Sequence, residues 1–176
     1  QAVRPEFHNL PIEHLEAARD RVSAQCADRR GDAGRDEIGG VELGGAIGET
    51  ALATAAAALV RRDVELPPPP AGRALIQVED PLTAYHRLAA HDRRERSWRV
   101  AAITGSVGKT TTKELILAAL GPVGPVLSTP GNFNNEFGVP ATLLEIAPHH
   151  RIVVAEMGMR GKGQIRELGE IALPNV

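Results

Sequence analysis

The sequence contains a single cysteine, Cys26. No disulfide can close within the chain, and a lone thiol fits a reducing compartment. Aromatic residues make up only 3%, too few for a base-stacking surface of the kind that binds single-stranded nucleic acid. No apolar run approaches the ~18 residues that a membrane-crossing helix needs, and the first residues lack the basic-then-apolar order of a secretory signal. The net charge of −2 gives neither nucleic acid nor an anionic membrane a reason to bind. The expectation is a soluble, cytoplasmic, monomeric protein whose partners are small molecules. The rest of the composition is that of an ordinary globular chain, 43% hydrophobic and 24% charged over 176 residues. That length allows one domain or two small ones. The chain starts at Gln1 and stops at Val176 just after a helical pattern, which reads as a piece of a longer protein.

The first third is weakly patterned. Ile12, Leu15, Ala18, Val22 and Cys26 recur at helical spacing after Pro11. His8 and His14 have no carboxylate or cysteine partner at ligand spacing and read as surface residues. Residues 31–48 are rich in Gly, Asp and Glu, which is loop chemistry. An alanine-rich helix is expected over Glu49 to Arg62, followed by a stiff connector at Pro67 to Pro70. Ala74 to Val78 reads as a strand, and Asp80-Pro81 as a capped helix start with Leu82, Tyr85, Leu88 and Ala89 facing inward. The charged run His91 to Arg96 reads as a solvated helix end and hinge, and the domain boundary is placed near it, dividing 1–96 from 97–176.

Beyond Trp98 the signals sharpen. An apolar run, Val100 to Ile103, leads into Thr104-Gly105-Ser106-Val107-Gly108-Lys109-Thr110-Thr111-Thr112 and then a helical segment from Lys113 to Leu120. Strand, glycine turn and helix form the context that makes a phosphate loop credible. Gly105 and Gly108 let successive N–H groups turn inward toward phosphate oxygens. The helix that follows offers free N–H groups and the positive end of its dipole to the same anion. Lys109 would reach the β- and γ-phosphates and Thr110 would ligate Mg²⁺. The general pattern asks for glycine at 103, where this chain has isoleucine.

A short strand near Pro125 to Leu127 precedes a polar stretch, Ser128 to Glu136, that holds Asn132, Asn134, Asn135 and Glu136. Gly138-Val139-Pro140 opens a further helix. Ile152 to Ala155 is a continuous apolar run, as expected of a strand buried on both faces of a parallel sheet. Glu156 follows it, and Gln164 to Ala172 forms the last helix. Strands alternating with helices imply an α/β fold with a parallel sheet. Ligands of such sheets bind at the carboxyl ends of the strands, where three polar clusters fall: 104–112, 129–136 and 156–160. Glu156 is placed to hold Mg²⁺, and the asparagine cluster to contact a ligand.

Thr104 to Glu114 resembles the phosphate loop of the Mur ligases, which also lack the first glycine. Gly131-Asn132-Phe133-Asn134-Asn135-Glu136-Phe137-Gly138-Val139-Pro140 is similar to one branch of that family, as is Glu156-Met157-Gly158-Met159 followed by Gly163-Gln164-Ile165. That branch adds D-alanyl-D-alanine to UDP-N-acetylmuramoyl-tripeptide. The resemblance covers residues 74–176. It implies a UDP-substrate-type domain over 1–96 and the start of an ATP-binding central domain over 97–176. It further implies an ATP-dependent ligase of peptidoglycan synthesis acting through an acyl phosphate, with the present stretch an incomplete fragment. Catalytic roles would fall to Lys109 and Glu156, and ATP binding to Gly105, Ser106, Val107, Gly108, Lys109, Thr110 and Thr111. Substrate binding would fall to Asn132, Asn134, Asn135 and Glu136, and Mg²⁺ to Thr110 and Glu156. Residues 1–55 show none of the motifs with which the family handles the UDP-sugar, and Gln164 stands where glutamate is usual. The rival readings are a non-catalytic nucleotide-binding module and a sister ligase that adds one amino acid. A kinase or GTPase would need a base-recognition motif such as Asn-Lys-x-Asp, which is not present.

Overall fold

A computed structural model describes residues 57–64, 68–69, 71–72 and 74–176. The expected helix after Pro11, Cys26, the early histidines and the glycine-rich loop lie outside these residues. The chain divides into two compact units, 1–84 and 85–176. The dividing point falls within a helix, upstream of the boundary drawn from the sequence.

In the first unit, β1 (Ala57–Arg61) pairs in parallel with β2 (Ala74–Val78), from Ala57 opposite Ala74 to Arg61 opposite Val78. β1 corrects the expectation of helix up to Arg62. Alanine's helical preference over a neighbour such as valine is worth only several tenths of a kcal/mol per residue. Hydrogen bonding along β2 outweighs it, and Leu59 and Val60 suit a half-buried strand. Residues 62–73 connect the strands, close to the shortest parallel crossover of about a dozen residues. Of the expected stiff connector, Pro68 and Pro69 are described, and Pro67 and Pro70 lie outside the described residues. Helix α1 (Pro81–Glu95) starts as expected: the Asp80 carboxylate accepts from the N–H groups of Leu82 at 3.1 Å and Thr83 at 3.2 Å.

The second unit is built on a parallel sheet of β3 (Arg99–Ile103), β4 (Val126–Ser128) and β5 (Ile152–Glu156), in the order β3-β5-β4. β5 lies between the other two, which is why its sequence is apolar without alternation; Val153, Val154 and Ala155 are fully buried. Between the strands run α2 (Lys109–Leu120), α3 (Gly138–Leu144) and, after β5, α4 (Gln164–Ala172). The core joins Ala89 and Ala90 of α1 to Val100, Leu127, Val139, Leu143, Leu144, Ile146, Val153, Met157, Leu168 and Ile171.

The charged run at the end of α1 is not solvated throughout. Asp92 and Arg93 are buried. Arg93 donates from Nε to the Ala172 carbonyl at 2.8 Å, from Nη2 to that of Leu173 at 2.9 Å, and from Nη1 to that of Arg96 at 3.1 Å. It thereby closes carbonyls left open where α4 ends. Arg96 pairs with Asp92 at 3.1 Å and lies 5.0 Å from the Trp98 ring centroid. Residues 175 and 176 run beside β3. The Asn175 N–H donates to the Val100 carbonyl, the Ala102 N–H to that of Val176, and the Val100 N–H to Asn175 Oδ1, each at 2.8 Å.

Candidate functional site

The carboxyl ends of β3, β4 and β5 carry the three polar clusters, and register brings them together. Ile103 stands opposite Glu156, and the Met157 N–H donates to the Ile103 carbonyl at 2.8 Å. The Thr129 N–H donates to Val154, and the Thr129 hydroxyl accepts from the Glu156 N–H at 3.0 Å. The loop after β3 turns through Gly105 (φ 147°) and Gly108 (φ 83°) before α2 begins at Lys109. Both angles lie where glycine is favoured. α2 therefore starts four residues earlier than the sequence pattern suggests, and its N-terminal N–H groups point into the loop. Lys109 Nζ lies over this loop, donating to the Gly105 carbonyl at 2.7 Å. Ser106, Thr110 and Thr111 are exposed, and Val107 is 92% exposed at the tip.

Glu156 is the hub. It is 1% exposed, and both carboxylate oxygens are engaged. Oε2 accepts from the Thr110 hydroxyl at 3.0 Å, and Oε1 accepts from Asn134 Nδ2 at 2.8 Å. Thr110 and Glu156 are both hard oxygen donors. Their 3.0 Å separation is about the edge of an octahedron with ligands ~2.1 Å from its centre, the geometry magnesium demands. The pair fits such an ion. Among the described residues no group of three or more His, Cys, Asp or Glu is gathered as a metal cage, so an ion held here would take its remaining ligands from a nucleotide and water.

The asparagine loop does two jobs. Asn134 faces Glu156, and its backbone carbonyl accepts from the Gly158 N–H at 2.7 Å. A Cβ on Gly158 would lie 2.5 Å from Asn134 Oδ1, so a larger residue there would push the Asn134 amide out of this position. Asn135 instead caps α3, its Oδ1 accepting from the N–H groups of Phe137 at 3.2 Å and Gly138 at 2.9 Å. The Glu136 carbonyl accepts from His86 Nε2 at 2.7 Å, and the Phe137 carbonyl from the Tyr85 hydroxyl at 3.4 Å, so α1 secures the loop's far end. Asn132 is exposed. The structure thus brings Lys109, Thr110, Asn134 and Glu156 together, and places Asn135 in the loop's own framework.

Sequence reasoning gave no role to Lys113, Thr129 or Gly158. Lys113 is 2% exposed; its Nζ donates to the carbonyls of Thr129 and Gly131, both at 2.9 Å, and lies 3.6 Å from Glu156 Oε2. The available signal was its position: Lys113 falls on the same stripe of α2 as Ile116, Leu117 and Leu120, where an apolar residue is expected.

Residues 103–176 match the Mur ligase middle domain. This part of the chain belongs to the Mur ligase family. The UDP-N-acetylmuramoyl-tripeptide–D-alanyl-D-alanine ligase of Synechocystis sp. is 52% identical over 99 residues, 56% of this chain and 22% of that protein. The ligase of the same name from Bacillus subtilis is 46% identical over 121 residues, 69% of this chain and 26% of its own. Among solved structures, the MurF ligase of Thermotoga maritima in complex with ADP superposes with a TM-score of 0.60 at 34% identity, covering 70% of this chain and 28% of that one. The chain thus spans about a quarter of the length of these relatives. The Mur ligase segment carries the phosphate loop, the asparagine loop and Glu156, and its α/β architecture with a parallel sheet is that of these structures. No described helix is long and apolar enough to cross a membrane.

Proposed function

We propose that the chain is part of a cytoplasmic, monomeric, ATP-dependent ligase of peptidoglycan synthesis that joins D-alanyl-D-alanine to UDP-N-acetylmuramoyl-tripeptide. Residues 97–176 would form the start of its ATP-binding domain, and residues 1–96 would belong to its UDP-substrate domain. ATP would phosphorylate the tripeptide's terminal carboxylate, and the D-alanyl-D-alanine amine would displace phosphate to form the amide. Resemblance in motifs and likeness to relatives named for this reaction support it.

The observation that carries the reading is the Thr110–Glu156 contact, which sets a phosphate-loop hydroxyl against a strand-end carboxylate. In this reading the amides of 105–109 and Lys109 hold the phosphates and stabilise charge on the transferred group. Thr110 and Glu156 would hold magnesium, which when bound neutralises charge shared between the β- and γ-phosphates. Asn134 keeps the Glu156 carboxylate aimed, and the loop bearing Asn132, Asn134 and Glu136 lines the substrate crevice. Asn135, engaged as a cap, supports that loop from beneath.

Calorimetry of Mg·ATP binding to this chain tests the site. Lys109→Ala removes a charged contact to phosphate worth roughly 1.5–3 kcal/mol, so affinity should fall roughly 10- to 100-fold. Equal affinity of the two proteins would overturn the role given to the phosphate loop.

A further inference from the structure

Lys113 does more than fill a gap beneath the phosphate loop. Its ammonium is almost fully buried, as is Glu156, and the two lie 3.6 Å apart, within ion-pair range and just outside hydrogen-bond distance. Its hydrogen bonds go elsewhere, to the carbonyls of Thr129 and Gly131. The ammonium is therefore anchored by two neutral dipoles while its charge is presented to the carboxylate. Glu114 also lies within 3.9 Å, but it is about two-thirds exposed and water screens it. Lys109 adds a second cation on the open side of the loop. Glu156 is thus a buried carboxylate with the Lys113 ammonium as its near cation, in a site where no acidic cluster is gathered among the described residues. Such a carboxylate attracts a free divalent ion weakly, because the resident ammonium has already neutralised it and would repel a second cation. A polyphosphate on the loop reverses that balance by bringing several negative charges.

We propose that Lys113 is a resident counter-cation for Glu156, which withholds the carboxylate from free divalent ions so that the metal enters only together with nucleotide phosphates. Lys113 is a positioning residue in this scheme, acting through Glu156 and touching neither phosphate nor metal. The inference rests on the reading of this site as one for nucleotide and metal.

The test uses Mn²⁺, whose free form is counted by electron paramagnetic resonance, on the chain with and without ADP. Without ADP, the wild type and Glu156→Gln should bind Mn²⁺ equally weakly, since the carboxylate is masked. Lys113→Met should bind Mn²⁺ at least tenfold more tightly than the wild type. The gain should vanish in Lys113→Met/Glu156→Gln, while Lys113→Arg should restore the masking. With ADP, the wild type should bind Mn²⁺ and Glu156→Gln should bind it at least tenfold less tightly. The inference falls if the wild type binds Mn²⁺ alone tenfold better than Glu156→Gln. It also falls if Lys113→Met, folded by circular dichroism, shows no gain. Should Lys113→Met not fold, the wild type and Glu156→Gln, each with and without ADP, decide the matter. A gain in Lys113→Met with no ADP-dependent binding in the wild type would keep the counter-cation role and overturn the nucleotide-site reading.

Discussion

Two buried cations lie in different parts of the second unit, and they are held in different ways. Arg93 is 7% exposed and is held by three neutral carbonyls, two where α4 ends and one just past the end of its own helix. Lys113 is 2% exposed and is held by two carbonyls, with a carboxylate for its charge. The guanidinium is planar with donors in a fixed fork, which suits a permanent lock on helix-end oxygens. Burial lowers its tendency to hold its proton from the ordinary value, yet an arginine that starts so high stays charged. The ammonium is a compact point charge facing a group that a metal can also claim. One cation closes an architecture, and the other sets the charge of a site.

Three substitutions sharpen the contrast, beginning with the greatest expected loss. Arg93→Met strips charged donors from two carbonyls at the end of α4 and one just past α1, and should cost about 4 kcal/mol of stability. Urea unfolding would measure this, and the Mn²⁺ affinity of the folded protein should match the wild type. A change in metal affinity would erase the distinction between the two cations. Gly158→Ala drives a Cβ to 2.5 Å from Asn134 Oδ1 and should cost roughly 1–3 kcal/mol. It should also weaken Mn²⁺·ADP binding, because Asn134 can no longer bond Glu156. Asn135→Ala removes only the α3 cap and should cost about 1 kcal/mol, with Mn²⁺·ADP affinity unchanged. Equal effects on that affinity from Gly158→Ala and Asn135→Ala would show that the asparagine loop responds as one body.

What the sequence disclosed follows the range of the forces involved. β5 was legible because burial on both faces leaves an unbroken apolar run, Ile152 to Ala155. The start of α1 was legible because Asp80 bonds residues only two and three positions on. β1 was not, because Ala57 to Arg61 becomes strand only through pairing with Ala74 to Val78. Arg93 was hidden for the same reason: its partners at Ala172 and Leu173 lie far along the chain. At the site, Lys109 and Thr110 stood out because phosphate-loop chemistry asks for residue types at set spacings, and Glu156 because it follows an unbroken apolar strand. Asn134 and Asn135 are indistinguishable as letters. Only the fold turns one toward Glu156 and the other toward the N–H groups of α3.

The pairing of Asn175 and Val176 with β3 bears on self-association. A flank strand offers a row of open N–H and C=O groups on which a strand of another molecule can template itself. Here the Val100 N–H, the Val100 carbonyl and the Ala102 N–H are all occupied by Asn175 and Val176. On the opposite flank β4 is only three residues long, which offers an incoming strand little purchase. Backbone bonds of β3 that an intruding strand would need are thus already spent on Asn175 and Val176.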